Sequence, residues 1–116
     1  MKIVKKPWGT YQNILDSENC KVKKIVVNSQ HRPSYQYHHK RSEHWIIISG
    51  EALVTIDDKE KKCFSGEYIF VPTVSKHRIQ NIGSDELIFI EVQTGEYFGE
   101  DDIVRLEDDY NRNNEI

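Results

Sequence analysis

Short apolar runs with a two-residue period, each closed by glycine, proline or aspartate, recur along most of the chain. A strand sends alternate side chains to opposite faces, so such runs drive a chain into sheets. Val22, Ile25, Val26 and Val27 mark one strand, and Trp45, Ile46, Ile47 and Ile48 make 44–49 nearly continuous in apolar character. Residues 52–56 alternate and meet the Asp57-Asp58 turn before Cys63 and Phe64. Tyr68–Val71 stops at Pro72, and 87–92 is a further β-rich run. Gly50, Gly66, Gly83 and Gly95 punctuate the series. No long segment carries a 3.6-residue apolar period. Many short strands at regular spacing predict an all-β sandwich or barrel.

At 116 residues the chain is long enough for one core and one domain. We expect a barrel over about 7–97 and a segment, 98–116, packing back on it. That segment is acidic and polar, with Ile103, Val104 and Leu106 its only aliphatics before Ile116. Residues 100–107 are expected to dock and 111–116 to be loose. A formal net charge of −3 argues against a nucleic-acid binder. No apolar run approaches the roughly 18 residues of a membrane span. Lys2, Lys5 and Lys6 lead into Pro7-Trp8-Gly9-Thr10 rather than into the apolar centre of a signal peptide. The expected location is therefore the cytoplasm, with no membrane partner. Cys20 and Cys63 lack the spacing of a redox or zinc pair and are expected to be reduced thiols.

Chemistry concentrates in Gln36-Tyr37-His38-His39-Lys40-Arg41-Ser42-Glu43. On a strand Gln36 and His38 point to one face and His39 to the other. A short turn through Lys40 and Arg41 would bring Glu43 onto that face from the next strand. His77 follows 34 residues after Glu43, just past Pro72. Two imidazoles, a carboxylate and an amide oxygen form a mixed N/O donor set. Such a set suits one divalent ion, Zn²⁺ first, with Mn²⁺, Fe²⁺, Co²⁺ or Ni²⁺ also compatible.

The spacing resembles the cupin superfamily, a double-stranded β-helix or jelly-roll barrel. Gln36-x-His38, Glu43 and Gly50 match its first motif, with Gln36 in place of the first histidine. Gly66, Pro72, His77 and Asn81 match its second, with Val74 where the motif has glycine. Pro7-Trp8-Gly9, Val22-Lys23-Lys24-Ile25, Gln36-Tyr37-His38-His39, Arg41, Glu43-His44-Trp45, Ser49-Gly50, Glu91-Val92-Gln93-x-Gly95-Glu96-Tyr97 and Gly99-Glu100-Asp101-Asp102-Ile103-Val104-Arg105 are similar to type II mannose-6-phosphate isomerases. The likeness covers about nine tenths of the chain, from Pro7 to Arg112. In that family the module usually follows a mannose-1-phosphate guanylyltransferase domain. None is expected in these residues. The family's third consecutive histidine is Lys40 here, and Asn28-Ser29-Gln30-His31 replaces its glycine-rich bend. Both changes flank the site and bear on the sugar accepted more than on metal binding.

The resemblance implies a metal-dependent aldose–ketose isomerase, converting mannose 6-phosphate to fructose 6-phosphate in nucleotide-sugar and polysaccharide biosynthesis. It also implies a substrate-contacting role for Arg105, because related isomerases carry an arginine after a similar acidic-aliphatic segment. An arginine fork suits a phosphate. Lys24, Arg41 and Arg78 are secondary phosphate candidates. Glu91, Glu96 and His44 are candidate bases for the C1/C2 proton, and the residues do not choose among them. The expected assembly is a twofold homodimer, since barrel edges invite pairing. Two other readings stand beside the isomerase. A cupin dioxygenase is disfavoured by Gln36, since such enzymes tend to use three histidines with iron. A non-catalytic or regulatory sugar-binding cupin would bind without turnover.

Overall fold

A computed structural model describes residues 2–112. Eleven strands follow one another without a helix among the described residues: β1 (Ile3–Lys6), β2 (Gly9–Asp16), β3 (Cys20–Val27), β4 (Tyr35–Tyr37), β5 (Arg41–Ser49), β6 (Glu51–Ile56), β7 (Lys59–Phe64), β8 (Tyr68–Val71), β9 (His77–Asn81), β10 (Leu87–Gly95) and β11 (Val104–Glu107). They form two facing antiparallel sheets, ordered β1-β2-β3-β10-β5-β8 and β11-β4-β9-β6-β7. The all-β expectation holds, and strand pairing begins at Ile3, before the expected start of the barrel.

Register explains where the core ends and the site begins. Residues paired across adjacent strands point to the same face. In the larger sheet Ile25, Phe89 and Ile47 form one inward row. The next row is Lys23, Glu91 and Trp45, and the one beyond it is Lys21, Gln93 and Glu43. The interior therefore changes from apolar to charged along the barrel axis. Val27, Ile47, Val54, Val71, Ile79, Leu87 and Phe89 fill the apolar part. Trp8 joins them, 8% exposed. Its neighbour Gly9 lies so close to β3 that a Cβ would meet the Val26 carbonyl oxygen at 1.9 Å, so the Pro7-Trp8-Gly9 turn needs glycine there.

β11 pairs with β4 at the edge of the second sheet, which sets 104–107 against the barrel. The expectation of a loose end at 111–116 is corrected at Arg112, which is 9% exposed and held by Asp108 at 2.9 Å; residues 113–116 lie outside the described residues. Cys20 and Cys63 are free thiols.

Candidate active site

Three donors meet at the charged end. His38 follows β4, Glu43 stands near the start of β5, and His77 opens β9. All three are 2% exposed. Glu43 Oε2 lies 3.2 Å from His38 Nε2, and Glu43 Oε1 lies 3.8 Å from His77 Nε2. All three ligand atoms fall within 4.8 Å of one another. Donors about 2.0–2.1 Å from a common ion at tetrahedral or right angles stand roughly 2.9–3.4 Å apart; His38 and Glu43 stand at that separation and His77 beyond it.

The surroundings prepare both imidazoles. His38 Nδ1 donates to the Asp102 carbonyl at 2.6 Å, and His77 Nδ1 to the Ser75 carbonyl at 3.0 Å. Each Nε2 then faces Glu43 and is the ring atom left to a metal. His77 Nε2 is buried without a hydrogen-bond partner. Burial lowers the His77 pKa and favours the neutral ligand form. Burial alone would raise Glu43, but His38, His77 and Arg41 hold it well below the usual carboxylate range. An ionised carboxylate, two imidazoles and an orphaned lone pair can hold a divalent cation. Arg41 Nε donates to Glu43 Oε2 at 3.0 Å, and Arg41 Nη2 stands 3.2 Å from His38 Nε2. Its guanidinium thus supplies positive charge beside these donors.

Gln36 sits in register with His77 on one side and Arg105 on the other, so the three side chains share the inner face. Its Oε1 accepts from Ser34 Oγ at 2.8 Å. Gln36, Glu43, His77, Glu91 and Arg105 line one cavity. Glu91 is 6% exposed. Trp45 Nε1 bridges Glu91 Oε1 and Glu43 Oε1 at 3.1 Å each, and Gln93 donates to Glu91 Oε2 at 2.8 Å. Burial, and then the charge of Glu43 beside it, push the Glu91 carboxyl up to about 8.

Two expected bases do not reach the cavity. His44 alternates with Glu43 and Trp45, so it faces outward, where it meets Tyr68 Oη at 2.6 Å and packs against the tilted ring of Phe70. Glu96 is exposed beyond the end of β10, its amide bonded to the Lys40 carbonyl. Arg78 is 7% exposed and bonds the carbonyls of Pro33 and Glu107. Lys24 takes the outer phase of β3, and its neighbour Lys23 is the inward one. Lys23, Gln93 and Asp102 were not singled out from the sequence. Continuing the Ile25–Val27 alternation backward would have placed Lys23 inside, but Val22 and Val26 make the opposite phase equally apolar.

The loop beyond β10 clamps the donor turn. Both carboxylate oxygens of Asp102 accept amides of that turn, His39 N and Lys40 N, at 2.9 Å each. A Cβ on Gly95 would come 2.3 Å from the Lys40 carbonyl oxygen.

A family model described as "Mannose-6-phosphate isomerase C-terminal" matches residues 1–108. The chain belongs to this family. As a mannose-6-phosphate isomerase C-terminal module it is 47% identical over 109 residues to the alginate biosynthesis protein AlgA of Pseudomonas aeruginosa, matching 94% of this chain and 23% of that protein. It is 44% identical over 105 residues to mannose-1-phosphate guanylyltransferase 2 of Escherichia coli O157:H7, matching 90% of this chain and 22% of that protein. The module thus spans less than a quarter of these curated relatives. Among solved structures it resembles the capsular polysaccharide assembling protein CapF of Staphylococcus aureus, with a TM-score of 0.77 at 18% identity over 91% of this chain and 34% of that one. An RmlC-like cupin from Shewanella frigidimarina gives 0.74 at 22% identity over 86% of each chain. The fold is that of a cupin.

Proposed function

We propose that this chain isomerises a sugar phosphate, mannose 6-phosphate to fructose 6-phosphate, in the cytoplasm and with zinc as the resident ion. One observation supports this reading most: the Glu91 carboxyl opens into the same cavity as Glu43 and His77, joined to Glu43 through Trp45 Nε1. His38, Glu43 and His77, with Gln36 beside them, would hold the ion, which when bound would supply Lewis acidity toward a sugar oxygen. Glu91 takes the proton from C2 while O1 takes one from water in the cavity, leaving an enediol. The same carboxyl returns a proton to C1 while the O2 hydroxyl gives its own back to that water, which completes the ketose. Gln93 and Trp45 orient Glu91 through its two oxygens. Arg105 holds the phosphate and so fixes the sugar against Glu91. Trp8, Ile25, Phe89 and Ile103 supply an apolar wall that limits water.

The deciding experiment is an NMR time course of metal-loaded protein with a panel of hexose 6-phosphates. Mannose 6-phosphate should convert to fructose 6-phosphate, and in deuterium oxide the product should gain deuterium at C1. Glu91→Gln should slow turnover by about 10²–10⁴-fold while retaining metal. Binding without turnover would transfer the protein to the sugar-binding reading. Bound iron with oxygen consumption would make it a dioxygenase.

A further inference from the structure

Lys21 and Lys23 take inward positions of β3 at the charged end of the barrel and are 8% and 4% exposed. Buried ammonium groups need counter-charge. These two share a single carboxylate oxygen, Glu100 Oε1, at 3.5 Å from Lys21 Nζ and 2.5 Å from Lys23 Nζ. The lysines are fixed in the sheet, and Lys23 also rests over the Tyr11 ring, 4.1 Å from its centroid. Glu100 comes instead from the connection between β10 and β11, and its side chain is 51% exposed. Two anchored cations thus share one solvent-facing anion. Across the described residues the cavity is lined by six basic side chains against three carboxylates, Glu43, Glu91 and Glu100.

The geometry points to Glu100 as a built-in stand-in for substrate phosphate: the phosphate group displaces the Glu100 carboxylate from Lys23 and Lys21, and the 96–103 segment moves with it. This assignment rests on the sugar-phosphate reading above and gives the phosphate that Arg105 holds further partners on the larger sheet, since Lys23 and Arg105 line the same cavity. A phosphate dianion can offer a separate oxygen to each ammonium, whereas Glu100 offers both the same one. A neutral sugar has no charge with which to displace Glu100, so the exchange selects phosphorylated sugars. While Glu100 occupies the site, phosphate affinity is reduced by the fraction of time the site is closed.

The test is a set of binding titrations, read by calorimetry and by amide shifts. Native metal-loaded protein, Glu100→Gln and Lys23→Met are each titrated with inorganic phosphate, mannose 6-phosphate and mannose. In native protein, inorganic phosphate should shift the amides of 99–102. Glu100→Gln should bind inorganic phosphate and mannose 6-phosphate about fivefold to tenfold more tightly, with no gain for mannose. Lys23→Met should lose about tenfold or more for both phosphates. Glu100→Gln binding phosphate no more tightly than native protein would overturn the exchange, as would Lys23→Met binding it equally well. Glu100 is half exposed, so its variant decides the matter even if Lys23→Met does not fold. Turnover is not the readout. Binding results that fit the exchange stand without isomerisation, and isomerisation with an inert Glu100 removes only the exchange.

Discussion

His38 and His77 each commit their Nδ1 hydrogen to a backbone carbonyl, and this decides their chemistry. A histidine on a surface can turn its ring; these two are held through Nδ1, so both Nε2 atoms converge with the Glu43 carboxylate. Removing one imidazole deletes a donor from a site that has few to spare. His38→Ala and His77→Ala should therefore leave purified protein without its equivalent of divalent ion, while a β-rich circular dichroism spectrum persists. Native protein should carry close to one ion per chain, removable by chelator. Elemental analysis finding full occupancy in both variants would rule out the assignment.

The elements next to the site constrain it through their backbones. Asp102 caps the amides of His39 and Lys40 and offers its own carbonyl to His38, so the β10–β11 connection fixes a donor that β4 and β5 deliver. Asp102→Ala should weaken metal binding on the order of 10-fold to 100-fold with Glu43 and both histidines intact, as measured by competition with a chelating dye. An unchanged affinity would reduce Asp102 to a surface cap. The turn before β9 carries a different constraint. Val74 has φ +71°, and its amide donates to the His38 carbonyl at 2.8 Å. A β-branched residue is strained in the left-handed region, which explains why the cupin motif has glycine at this position. Val74 is 54% exposed, so its side chain contributes little packing. Val74→Gly should raise stability by about 1 kcal/mol in denaturant melts, strain relief outweighing the added chain entropy. A loss of stability would show that the valine is not strained.

At the scale of the whole molecule, the edges and outer faces of the sheets bear on the expected homodimer. Pairing at a sheet edge is poorly served by β7, where Lys59, Glu60, Lys61 and Lys62 follow in sequence along an edge strand. The outer face of β5 and β8 is the better candidate, because Ile46, Ile48, Tyr68 and Phe70 are 45–58% exposed there. A second copy applied about a twofold axis would cover the same patch on both subunits. Light scattering should give a dimer mass at micromolar concentration, and Ile46→Asp should shift it to monomer without lowering metal content. A native monomer across that range would count against the dimer.

The strand pattern, the turn residues and the spacing from Gln36 to His77 were legible in the sequence, because period-two alternation and ligand spacing are local properties of a chain. They were sufficient for an all-β barrel and for bringing Gln36, His38, Glu43 and His77 toward one face. Which way the two-sided strands face was not legible. In β3 and β10 both phases carry apolar residues, Ile25 and Val27 against Val22 and Val26, Leu87 and Phe89 against Ile88, Ile90 and Val92. Hydrophobicity alone cannot orient such strands, and a one-residue change of phase moves every side chain to the other face. Only the register of β10 between β3 and β5 turned Lys23, Glu91 and Gln93 inward and left Lys24 and His44 outside. The partners of the donors were equally hidden, since the carbonyl of Asp102 reaches His38 from 64 residues away. A contact of that kind exists once the two sheets have closed, and no local property of the chain encodes it.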